Sequence, residues 1–180
     1  MTRHAPVTLA DAAQLPLWQR PQSLLLLMAF AMPMAFATWS ALLNNFVVEV
    51  AGFDGVQIGW LHTIREIPGF LAFAVIFVLI LVREQVLGAA SLCLLGLATA
   101  VTAWFPSLSG ILIVTFVSSV GFHWFETVNQ SLQLQWLPKE KAPQVLGWIV
   151  AMGSGASLIA YGAIVLGWKT LGLDFNTVYM

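Results

Sequence analysis

Two short constellations place acids and bases within apolar segments: Arg65-Glu66, with His62 one turn earlier, and His123-x-x-Glu126. A charge in hydrocarbon costs on the order of a few kcal/mol unless it faces a cavity or a partner, so each such residue marks a functional position by default. Their chemistry would be reversible binding. A carboxylate there can exchange a proton, hold a cationic or hydroxylated solute, or pair with an arginine from another helix, and Glu126 is the first choice for that role. It belongs to the longest polar stripe in the chain: Thr115, Ser119, His123, Glu126, Asn129, Gln130 and Gln133 fall within roughly 120 degrees of arc on a helix. Such a stripe must line an aqueous path or pack against other polar groups.

Two further faces carry the same signal. Met34, Thr38, Ala41, Asn45 and Glu49 form a weaker polar stripe, and His62, Arg65, Glu66 and Gly69 share a face beside Pro68, which can loosen the helix there. His62 and Glu66, one turn apart, can meet. Arg65 and Glu66 are adjacent and are expected to point apart, leaving Arg65 to Glu49 or Glu126. Arg83 is a further ion-pair or gating residue. The plainer reading of each is a structural polar cluster for Arg65 and Glu66, a hydrogen-bonded interior histidine for His123, and packing for Trp39 and Trp124, which could otherwise stack on a substrate ring. His62, Glu66, His123 and Glu126 have metal-ligand chemistry but no tight ligand spacing, so neither metal nor cofactor is expected. No phosphate-binding loop is present.

The elements that must position these residues are long apolar helices. Hydrophobic residues make up 59% of the chain and charged residues 8%, against roughly a quarter charged in soluble domains. A net charge of -1 excludes the electrostatic footprint of a nucleic-acid binder. The lone Cys93 allows no internal disulfide and is expected as a small buried hydrophobe. Apolar runs at about 24–48, 56–82, 86–105, 108–136 and 145–168 each reach the roughly 20 residues that cross a bilayer. None shows the strict alternation of a transmembrane strand. The polar arm 1–22 and the length of the first run argue against a cleavable signal peptide.

Orientation follows from the basic residues. Arg3, Arg20, Arg83, Lys139 and Lys141 fall on one side and Lys169 on the other, which puts the N-terminus in the cytoplasm, as in a bacterial inner membrane. Trp18, Trp60, Trp104, Trp136 and Trp168 lie near span ends, as interfacial anchors do. The third span offers only small hydroxyls and Cys93 and reads as a lipid-facing support. In the fifth, Gly147, Ala151 and Gly155 repeat at the spacing that lets helices pack closely. Residues 169–180 read as an outer loop and the opening of a sixth apolar run, so the chain is expected to be a fragment.

This layout resembles the N-terminal half of a major facilitator superfamily transporter. The resemblance rests on the cytoplasmic arm, the polar-faced first helix, Gly55-Val56-Gln57-Ile58-Gly59-Trp60 opening the second, and Trp136-Leu137-Pro138-Lys139-Glu140-Lys141 through Gly147. Of the family's loop Gly-x-Leu-x-Asp-Arg-x-Gly-Arg-Arg, only Arg83 has a counterpart in Ile80-Leu81-Val82-Arg83-Glu84-Gln85, and the fifth helix lacks the antiporter proline. The resemblance implies a six-helix half-bundle, alternating access, and a small solute, with or without a coupling proton, bound near the midplane. The second half would come from the same polypeptide or a second copy. Two other classes remain in view: a non-transporting subunit or half-size homo-oligomer, and an intramembrane enzyme. Gly155-Ala156-Ser157-Leu158 looks like the serine motif of rhomboid proteases, but no histidine follows it, so the chain is not expected to be an enzyme.

Overall fold

The computed structural model describes residues 15–17 and 20–179. Arg3, Trp18 and Met180 lie outside the described residues. These form helices and connecting turns, with no strand among them. Five helical segments are long and apolar enough to cross a membrane, judged by length and composition.

Helix α1 (Pro21–Glu49) starts on a proline, whose fixed φ suits a first helical turn and whose missing N–H is no loss there. The chain then reverses through Gly52, at φ 68°, a conformation glycine adopts without the Cβ penalty. Helix α2 (Gly55–Phe70) opens with a capping box: Asp54 accepts from the Gln57 N–H at 2.8 Å, and the Gln57 side chain accepts from the Asp54 N–H at 2.9 Å. The second apolar run is not one helix to residue 82. It breaks at Leu71, turns through a 3-10 segment (Ala72–Ala74) and resumes as α3 (Val75–Leu79). Pro68 stands just before the break and deprives the preceding turn of a backbone donor.

Helix α4 (Glu84–Val101) ends in a 3-10 turn (Thr102–Trp104). Helix α5 (Leu108–Trp136) is capped by Ser107, which accepts from the Gly110 N–H at 3.2 Å. Helix α6 (Ala142–Thr170) follows, and then the short α7 (Phe175–Tyr179). Asp174 accepts from both the N–H and the hydroxyl of Thr177, and these bonds hold its exposed carboxyl below the usual carboxylate range. Trp60, Trp104 and Trp168 are exposed near helix ends.

The main packing pairs are α4 with α5, α1 with α6, and α2 with α5. The third span is therefore a core partner of α5 and not a peripheral support: Leu87, Gly88, Ser91, Leu95, Ala98 and Thr99 are buried along it. Small residues make this possible. A Cβ on Gly121 of α5 would stand 2.8 Å from the Leu95 nitrogen and the Ser91 carbonyl oxygen, so the two backbones approach to a distance that only glycine permits. Cys93, expected inside, is exposed on the opposite face of α4.

Helix α6 also packs by another face than expected. Ile149, Ala156, Ala160 and Gly167 are buried, and Gly153 lies against the Ala29 carbonyl and Pro33 of α1. Gly147 and Gly155 have open space where a Cβ would be, and Ala151 is exposed. The Gly147, Ala151 and Gly155 stripe is thus not a packing face within this chain.

Two apolar clusters occupy different levels of the bundle. One joins Leu25, Ala29, Val75, Leu87, Val128, Leu132 and Ile149; the other joins Trp39, Leu43, Phe46, Leu61, Ile111 and Tyr179. Replacing Gly121 with alanine should cost about 1–3 kcal/mol, the range for overpacked interiors, whereas Gly147→Ala should leave stability unchanged. Thermal unfolding of both variants in detergent, followed by circular dichroism, checks this; equal melting temperatures would contradict the α4–α5 contact.

Candidate functional site

Between the two apolar clusters α1, α2 and α5 enclose a cavity of about 160 Å³. Helix α1 contributes Phe36 and Trp39, α2 contributes Arg65 and Glu66, and α5 contributes Ser118, Ser119, Phe122 and His123. On α5 these residues lie, along the chain, between Ile111 of one cluster and Val128 of the other, while Trp39 on α1 is itself a member of the Ile111 cluster.

Arg65 and Glu66 do not point apart. Nη2 of Arg65 is 2.9 Å from Oε1 of Glu66, and Nε donates to the same oxygen at 2.9 Å. Both side chains are long enough to bridge the roughly 100 degrees between adjacent helical positions. The expected partners Glu49 and Glu126 are therefore not used, and Glu66 is engaged by Arg65 and not by the half-buried His62. This is the ion pair found among the described residues.

Two contacts hold α2 against α5 at this level. The Ser119 hydroxyl donates to the Arg65 carbonyl. A Cβ on Gly69 would stand 2.7 Å from Cε1 and 2.8 Å from Nε2 of His123, so the imidazole lies flat on the glycine. Opposite, the Phe36 and Phe122 rings stack with centroids 4.5 Å apart, and Phe122 meets His123 edge to face at 5.1 Å. Trp39 is buried at the cavity wall, its indole nitrogen without a hydrogen-bond partner among the described residues. Its carbonyl accepts from the Tyr179 hydroxyl at 3.4 Å, which ties α7 to the site wall.

Of the expected site residues, the structure brings together His123, Arg65 and Glu66. Glu126 is half-buried one turn further along α5, hydrogen-bonded to Gln130 and outside the cavity lining. Asn129 is buried with its Oδ1 unpaired among the described residues, and Gln133 is half-buried. Thr38 donates to the Met34 carbonyl at 2.8 Å, while Asn45 is exposed. Arg83 precedes α4 in extended conformation, away from the cavity lining. Ser157 donates to the Gly153 carbonyl at 3.1 Å, within its own helix. Among the described residues no three His, Cys, Asp or Glu side chains gather as a metal site.

Sequence reasoning missed Phe36, Phe122 and Ser118. Phe122 falls inside the arc of the α5 stripe, where only polar residues were counted, and Ser118 falls just outside it. It also missed the bonds from Ser131, at 3.2 Å, and Gln135, at 2.6 Å, to the Glu84 carboxylate, which fasten the start of α4 to the end of α5. Nothing local relates position 84 to 131.

Fold and site together define a class: an all-α chain with five helices of membrane-crossing length and a charged, aromatic-walled cavity between three of them. No protein-family model, curated protein or solved structure matches the chain. The site geometry depends on the bare Gly69 surface. Gly69→Ala should displace the His123 ring and shift its imidazole NMR resonances, and unchanged resonances would show that the ring is not seated there.

Proposed function

We propose that this chain is half of a secondary transporter of the major facilitator type, which moves a small solute across a membrane by alternating access. The observation that carries the proposal is the ion pair Arg65–Glu66 beside His123, lining a cavity between helices of membrane-crossing length. Glu66 is 63% exposed at its side chain. A carboxylate that open at this depth is tolerated only beside a water-filled path or another protein surface. A binding cavity between repeats meets both conditions.

On this reading α1, α2 and α5 supply one wall of the path, and the exposed Gln130, two turns along the same face of α5 as His123, faces the remaining space. A second half, covalent or a second copy, supplies the opposite wall, because a single bundle has nothing to rock against. The break at Leu71–Ala74 supplies a pliable joint next to the ion pair. The distribution of arginine and lysine favours a cytoplasmic N-terminus in a bacterial inner membrane. Glu126, next to the cavity on the same helix, is the residue proposed to carry a coupling proton.

Two measurements test the proposal. With Cys93 replaced by serine, Thr38→Cys should react with a membrane-impermeant maleimide from both faces of oriented vesicles; reaction from a single face under every condition would remove alternating access. Glu126→Gln should reduce pH-gradient-driven solute uptake at least roughly tenfold, as expected when a proton-transfer group is lost, while exchange of solute without a gradient persists. Uptake equal to the parent protein at every pH would remove Glu126 from the mechanism.

A further inference from the structure

We infer that the cavity between α1, α2 and α5 takes a small organic anion: a carboxylate on a single flat or compact apolar body, docked on Arg65 in place of Glu66. The inference rests on reading the cavity as a solute site, and it narrows the solute class.

The two charges of the pair are not equivalent. The Arg65 side chain is 33% exposed and that of Glu66 63%. Arg65 is also anchored through its backbone, since its carbonyl accepts from Ser119. By exposure the cation is the inner charge and the carboxylate the outer one. A cationic ligand entering the cavity would meet the guanidinium; an anionic one would meet its natural partner and release Glu66 toward the open side.

The donor geometry agrees. Nε and Nη2 of Arg65 both point at one oxygen, Oε1 of Glu66, at 2.9 Å each. A guanidinium fork binds a carboxylate best through two parallel bonds to two oxygens. The resident pair leaves that arrangement unused, so an incoming carboxylate that takes both oxygens gains over Glu66. His123, beside the fork, offers another polar atom to the same headgroup.

Size and wall chemistry describe the rest of the ligand. The cavity volume of about 160 Å³ is close to the roughly 150 Å³ of an engineered cavity that holds benzene. Phe36, Phe122 and Trp39 present ring surfaces to it. One ring, or a branched aliphatic group of that volume, fills the space; a nucleotide or a disaccharide does not.

Benzoate is the probe, titrated into the purified full chain in lipid nanodiscs, with benzylamine, benzamide and phenylalanine as size-matched controls. Saturable binding of benzoate in preference to all three is expected. Arg65→Gln should weaken it at least roughly tenfold, the loss of a charge-assisted pair. Arg65→Lys, which keeps the charge without the fork and guards against misfolding of the first variant, should give an intermediate loss. Glu66→Gln removes the rival carboxylate and should tighten benzoate binding. Opposite signs at adjacent residues are the signature of displacement, because a purely structural ion pair would make both substitutions act alike. Absence of benzoate binding, equal losses in Arg65→Gln and Glu66→Gln, or tighter binding of benzylamine or phenylalanine would overturn the inference. Benzoate bound with the expected pattern but not carried in proteoliposomes would keep the anion site and remove transport. Alternating labelling of Thr38→Cys without benzoate binding would do the reverse.

Discussion

The approach of α2 to α5 at Gly69 and His123 is the constraint on which the site depends. A glycine at that point lets an imidazole lie directly on the helix backbone. The same seam brings Ser119 within reach of the Arg65 carbonyl. Together the two contacts set the height and rotation of α2, and thus the direction in which Arg65 and Glu66 leave it. A larger residue at position 69 would move the helix away and open the cavity floor.

Around that seam the bundle is built from unequal contacts. Glycine at 121 brings α4 and α5 together backbone to backbone, whereas at Gly153 α6 meets the Ala29 carbonyl and Pro33 of α1 with room for an ordinary contact. Helix α2 is held differently: few of its side chains are fully buried, and it breaks at Leu71 where the next segment begins. The charged cavity therefore has one wall formed by an interrupted helix with few buried side chains.

Much of this was legible in the residues. The five apolar runs were placed within a few residues of the helices, because hydrocarbon-length hydrophobicity is a strong and local signal. His123, Arg65 and Glu66 stood out as ionisable groups in apolar surroundings, and they meet in the cavity. What failed were choices between equivalent faces. Gly147, Ala151 and Gly155 have the spacing of a close-packing face, yet α6 buries Ile149, Ala156 and Ala160, and the adjacency of Arg65 and Glu66 gave no measure of how far two flexible side chains bend toward one another. The quiet polarity of the third span suggested a peripheral helix, yet small residues are what a close helix contact requires.

The sequence by itself determined the helical class, the lengths of the segments and the list of groups that hydrocarbon will not tolerate unpaired, because each follows from local composition and the cost of desolvating charge. Only the tertiary structure decided which of those groups meet. The pairing of Arg65 with Glu66, the aromatic wall of Phe36 and Phe122, and the bonds from Ser131 and Gln135 to Glu84 depend on the rotation and height of whole helices. Those quantities are set by glycine contacts between segments far apart in the chain, a relation that no single segment encodes.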